Sequence, residues 1–183
     1  MVGIARAATG ALIIAALSTF GDFVWVLWIP SHRAAFGLLH GTLLCLGIGL
    51  YLGVLRRRPV RGALTGAAIG LGAAAGYYAL ARVMGYAAMF VLWMGLWAAF
   101  GFLQGRGLGE PRSSRGEALC RGALAAVGSG LAFYAISGIW TLHTPGPTDY
   151  AYHFYCWTAA YLPGFLALLV GGRARARRST PSP

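Results

Sequence analysis

Six apolar segments, each about long enough to cross a bilayer, constrain this chain more than any other feature. They run near Ala8–Ile29, Ala34–Leu55, Gly62–Ala81, Tyr86–Leu103, Gly122–Leu142 and Asp149–Val170. A helix rising about 1.5 Å per residue needs roughly 20 residues to cross a hydrocarbon core of about 30 Å. Composition agrees: 58% of the 183 residues are hydrophobic and 10% are charged, against roughly a quarter charged in a soluble domain. The expected fold is all-α, a polytopic integral membrane protein built as a six-transmembrane-helix bundle. Residues 1–172 form its single domain, and 173–183 form a basic tail expected to be disordered. Between the fourth and fifth segments, Gln104–Arg121 reads as a solvated loop rich in Gly, Ser and Arg.

Arginine placement orients the bundle. All 15 basic residues are arginine. Arg6, the Arg56–Arg58 run with Arg61, the Arg106–Arg121 group and the Arg173–Arg178 group would lie at one end, thirteen in all, against Arg33 and Arg82 at the other. The positive-inside rule then places both termini in the cytoplasm of a bacterial-type inner membrane. The net charge of +11 is therefore a topology signal. Nucleic acid is not expected as a partner, because the arginines are split among four juxtamembrane sites and form no basic face with aromatics between them. The partners expected instead are the lipid bilayer and its anionic headgroups, met by the arginine-rich loops and tail. Arg6 followed by AATGALIIAALS has the outline of a signal peptide. Cleavage after Ser18 would leave too short a first span, so the segment reads as an uncleaved helix.

The helices are expected to pack through small residues, because lipid is as apolar as leucine and close backbone approach must hold the bundle. Gly62, Gly66 and Gly70 share one stripe of the third segment and Gly72 with Gly76 another, which suggests that this helix is central. Gly37 with Gly41, Gly49 with Gly53, and Gly101 with Gly105 repeat the spacing. No strand precedes the glycine-rich stretches, so they are packing features and not dinucleotide loops. RGAL recurs at Arg61 and Arg121, each opening a helix from the same side, a modest hint of repeated hairpins. Cys45, Cys120 and Cys156 share no level and form no disulfide framework. Trp25, Trp28, Tyr77, Tyr78, Tyr86, Tyr150 and Tyr152 fall toward the outer ends, where an aromatic belt is expected.

The remaining ionisable residues sort by side. Glu110 and Glu117 lie among the cytoplasmic arginines, whereas His32, His40, His143, His153, Asp22 and Asp149, with Arg33 and Arg82, map to the outer half. Counting from the turn at Pro30, Asp22 lies about 12 Å down the first helix and His40 about 9 Å down the second. A lipid-facing carboxylate there would cost about 3 kcal/mol or more. Asp22 should therefore face the interior with a partner, and His40 is the natural candidate, with Arg33 two turns above it. Thr148 reads as the N-cap of the last helix, with Asp149 and His153 four apart on its first turn.

The candidate ligand or proton site is thus Asp22, Arg33, His40, Arg82, Asp149 and His153. Metal ligands, if the site takes a metal, would come from Asp149, His153, His40 and His143. The leading expectation is binding or transport of a small solute, ion or proton through this outward-facing site. A membrane enzyme with a metal or haem site is the alternative, as is a structural or partner-binding subunit in which the same residues lock and cap helices. An oligomer is compatible with all three. No cofactor and no substrate is readable from the residues.

Overall fold

A computed structural model describes residues 1–28, 33–85, 87–106, 115–142 and 149–170. Among the described residues all regular structure is helical, in six elements: α1 (Val2–Trp28), α2 (Arg33–Leu55), α3 (Pro59–Met84), α4 (Ala87–Arg106), α5 (Arg115–Leu142) and α6 (Tyr150–Val170). Each apolar segment of the sequence is a helix. Five are long and apolar enough to cross a membrane, and α4 contributes the shorter apolar stretch Ala87–Leu103. Large apolar side chains cover the outside of the bundle: Val60, Leu131 and Tyr155 are 70%, 61% and 70% exposed. A surface of this kind suits lipid and not water.

Several helix ends differ from the expected boundaries. The expected loop Gln104–Arg121 is helical at both edges, since α4 continues to Arg106 and α5 begins at Arg115. Glu117 and Arg121 pair at 3.2 Å one turn apart, and the Glu, Ala and Leu beside them favour helix wherever the apolar run happens to start. Similarly, α1 begins at Val2 and not at Ala8.

The helices pack in ring order, each against its neighbours in sequence, and α6 closes back on α1. The α2–α3 seam is the most extensive, and the α1–α2 seam the slightest of the six. Glycine explains the first. A Cβ on Gly49 would fall on the carbonyl oxygen of Gly62, one on Gly62 on that of Gly49, and one on Gly66 on that of Cys45. The two backbones therefore touch, as the Gly62–Gly66–Gly70 stripe predicts. The second stripe is mixed: nothing lies within 4 Å of a Cβ on Gly72, whereas one on Gly76 would meet Leu92 of α4 at 2.9 Å. Even so, α3 is the least buried of the five spanning-length helices, which corrects the expectation that it is central.

The α1–α6 seam is an antiparallel ladder of small and polar contacts. Ser18 Oγ and Tyr161 OH hydrogen-bond at 2.8 Å, and a Cβ on Gly3 would meet the Leu169 carbonyl near the far end. Inside, Trp97, Tyr161 and Phe165 are the largest fully buried side chains. Trp97 meets Phe165 edge-on at 5.5 Å and lies against Gly164, where any side chain would collide with the indole. Each such aromatic pair contributes about 1 kcal/mol beyond its buried area.

Pro163 interrupts the hydrogen bonding of α6 and removes the amide that would bond the carbonyl one turn back. Beside it, Ser129 Oγ donates to the Ala160 carbonyl at 2.5 Å, while the Trp93 indole Nε1 donates to Ser129 Oγ at 2.8 Å. The relay joins α4, α5 and α6 one residue past Ala159, whose carbonyl Pro163 leaves without its amide partner.

Candidate functional site

Asp22 sits one turn above Ser18 on the inner face of α1. Trp157 Nε1 donates to its Oδ2 at 2.6 Å, and His153 Nδ1 lies 3.4 Å from the same oxygen. The side chains of His153 and Asp22 are 15% and 25% exposed. Both partners belong to α6, where His153, Trp157, Tyr161 and Phe165 follow at four-residue spacing and so face α1 and the core together. A charge-assisted bond to a carboxylate is worth about 1.5–3 kcal/mol, and the carboxylate would be costly to leave unpaired.

His40 is next to Asp22 but not bonded to it. Its imidazole lies directly against Gly21, so a Cβ there would overlap the ring, and it stacks on Phe36 at 5.9 Å. The expected depth match between the two residues thus appears as shared placement on one cavity wall, while the carboxylate's bonds go to α6. Because α1 packs closely on α6 and only slightly on α2, the nearer helix supplies the partner.

That cavity has a volume of about 400 Å³, and all six helices contribute to its wall. Asp22, His40, Tyr77 and Tyr78 give it a polar end, whereas Ile48 and Leu96 close its deeper part with aliphatic surface. Trp93, Phe133, Trp157 and Tyr161 form an aromatic wall. Trp93 stacks on Phe133 at 4.7 Å, and Trp157 stacks on Tyr161 at 5.8 Å. Facing them, α2 and α3 present Gly37, Gly41, Gly70, Ala73 and Ala74, and at Gly41 and Gly70 a Cβ would meet the opposite helix of the α2–α3 seam. The volume lies in the range of about 300–1,000 Å³ typical of small-ligand sites.

Of the other expected site residues, Asp149 and Arg82 are not on the cavity wall. Asp149 caps α6: its Oδ1 accepts from the Tyr152 amide at 3.2 Å, and its carbonyl accepts the first helical bond, from the His153 amide at 3.1 Å. The cap is thus Asp149 itself, and the expected cap, Thr148, lies outside the described residues. Arg82 is exposed on the last turn of α3, where a cation suits the helix dipole, and is not part of the cavity wall. Arg33 opens α2, and its side chain, like His32, His143, Glu110 and the 173–183 tail, falls outside the described residues.

Among the described residues no three His, Cys, Asp or Glu side chains group closely enough to hold a metal ion. All three cysteines are free, Cys45 and Cys156 buried and Cys120 exposed. Sequence reasoning missed Trp157, Trp93 and Tyr161. The four-residue spacing of His153, Trp157, Tyr161 and Phe165 was the available signal, since it marks one face carrying both an imidazole and an indole donor. Comparison of the chain with known protein families, curated proteins and solved structures finds no match, so no residue inherits a role from a relative and the geometry alone carries the functional reading.

Proposed function

We propose that this chain is a multi-pass protein of a bacterial-type inner membrane, with both termini cytoplasmic, that binds or translocates a small solute in its central cavity. Five spanning-length helices and the exposed apolar surface favour the membrane. Thirteen arginines gathered at one end against two at the other favour the orientation. On this reading the same arginines meet anionic lipid headgroups, and the Asp22 end of the cavity lies toward the outer face.

One observation carries the binding reading: Asp22, fixed by Trp157, stands on the wall of a cavity of about 400 Å³ to which every helix contributes. A carboxylate within a spanning segment is costly, and such residues tend to mark solute or ion pathways. A pair that served only to lock α1 to α6 would need no adjoining space, because protein interiors are otherwise close-packed. Translocation has a mechanical basis in the unequal seams. The glycine-joined α2–α3 pair is held firmly together but only slightly to α1, so it can rock as one body against the other helices and change access to the cavity.

The test is a thermal-shift screen of the purified full chain against cationic, anionic and neutral small solutes, repeated on Ala73→Trp. Ala73 lines the cavity and packs on the core, so the indole occupies the space while the Asp22 residue itself is unchanged. At least one solute class should stabilise the parent and lose that effect in Ala73→Trp. Equal shifts in both proteins, or none in the parent, would contradict the reading.

A further inference from the structure

Resting on the solute-binding reading above, we propose that the cavity is selective for a small organic cation, an amine or quaternary ammonium group. Asp22 would supply the counter-charge and the tryptophan and tyrosine rings the contact surface. Three features of the wall point to this class.

The first is charge. Among the described residues, Asp22 and His40 are the wall's acidic and imidazole groups, and no arginine side chain lines it. An anion would meet the Asp22 carboxylate there.

The second is the fate of the donors. Trp157 Nε1 donates to Asp22 and Trp93 Nε1 to Ser129, and the Tyr161 hydroxyl is engaged with the Ser18 hydroxyl. The inner wall therefore shows a guest mainly ring carbon. A sugar, an amino-acid carboxylate or a phosphate needs several free donors and would lose more hydrogen bonds to water than it regained. A bare alkali or alkaline-earth ion needs a shell of oxygen ligands, and this wall is built of rings and small apolar residues.

The third is the rings themselves. Trp93, Phe133, Trp157 and Tyr161 lie on one side, and Tyr77 and Tyr78, in edge contact at 5.2 Å, on the other. Aromatic faces attract a desolvated cation through the ring quadrupole, tryptophan most strongly, and cages of such rings are the usual receptors of quaternary ammonium groups. A neutral apolar guest would fit the same rings but would strip water from Asp22 without replacing the lost interaction. A cation satisfies both.

The experiment is isothermal titration of the purified full chain in detergent with choline and with 3,3-dimethyl-1-butanol, its neutral isostere. Choline should bind saturably and at least about tenfold more tightly than the alcohol. Asp22→Asn should erase that preference. Tyr77→Leu, which leaves the charge and the α1–α6 seam untouched, should weaken choline several-fold and leave the alcohol unchanged, and it serves as the test if Asp22→Asn does not fold. If the alcohol binds the parent as tightly as choline, the cation assignment is overturned while the binding cavity stands. If neither binds a chain that circular dichroism shows to be folded, both fall. Choline binding that survives in Ala73→Trp arises outside the cavity and also overturns the assignment.

Discussion

Trp157 donates its indole N–H to Asp22 across 2.6 Å, joining the inner faces of α6 and α1 beside an open cavity. The bond both satisfies a carboxylate placed in apolar surroundings and aims it. Trp157→Phe keeps a six-membered aromatic ring and removes the donor together with the pyrrole ring that carries it. It should cost about 2 kcal/mol or more in unfolding free energy, from a charged acceptor left short of a partner and from the lost ring volume. Chemical denaturation in detergent micelles measures it, and an unchanged midpoint would show that the bond contributes nothing.

The glycines should fall into two groups. On Gly62 a methyl group would meet the backbone of α2, whereas on Gly72 it would meet nothing within 4 Å. Gly62→Ala should therefore lower stability by about 1–3 kcal/mol by forcing the two helices apart. Gly72→Ala should be neutral or raise stability by up to about 1 kcal/mol, because alanine is the better helix former. Thermal unfolding of the two variants side by side decides this, and equal effects would contradict the assigned seam.

Gly21→Ala probes the placement of His40. The new methyl group would overlap the imidazole, so the ring must leave its position on the cavity wall. Solute affinity should fall about tenfold or more while the helical content stays unchanged, and the imidazole proton resonances should move. A variant with parental binding would remove His40 from the site.

Thiol accessibility tests the orientation. Cys120 is exposed near the start of α5, on the arginine-rich side, while Cys45 and Cys156 are buried. A membrane-impermeant maleimide should label inside-out vesicles at Cys120 and leave right-side-out vesicles unlabelled. The opposite pattern would invert the topology.

Much of this fold was legible because hydropathy is a local property. Each of the six apolar runs became a helix, and the Gly62–Gly66–Gly70 stripe became a backbone contact. The helix ends at Val2 and Arg115 were less legible, since the helix continues beyond the apolar run through Gly3 in α1 and Gly116 in α5, with good helix formers beside them. At the site, the depth of Asp22 and its need for a partner followed from the cost of a carboxylate in lipid. The partner's identity did not. Adjacent helices in sequence suggested His40, whereas ring closure placed α6 against α1 and brought His153 and Trp157 to the carboxylate. Which helices become neighbours depends on how small-residue faces fit across the whole bundle, and no single segment encodes that.

Asp22→Asn tests the central claim most directly, with thermal stability and solute binding measured on the same preparation. The amide oxygen still accepts from Trp157 and the side-chain volume is kept, so the account predicts stability within about 1 kcal/mol of the parent. It also predicts a loss of solute affinity of about tenfold or more. Undiminished binding in the folded variant would instead mark Asp22 as a purely structural tie between α1 and α6.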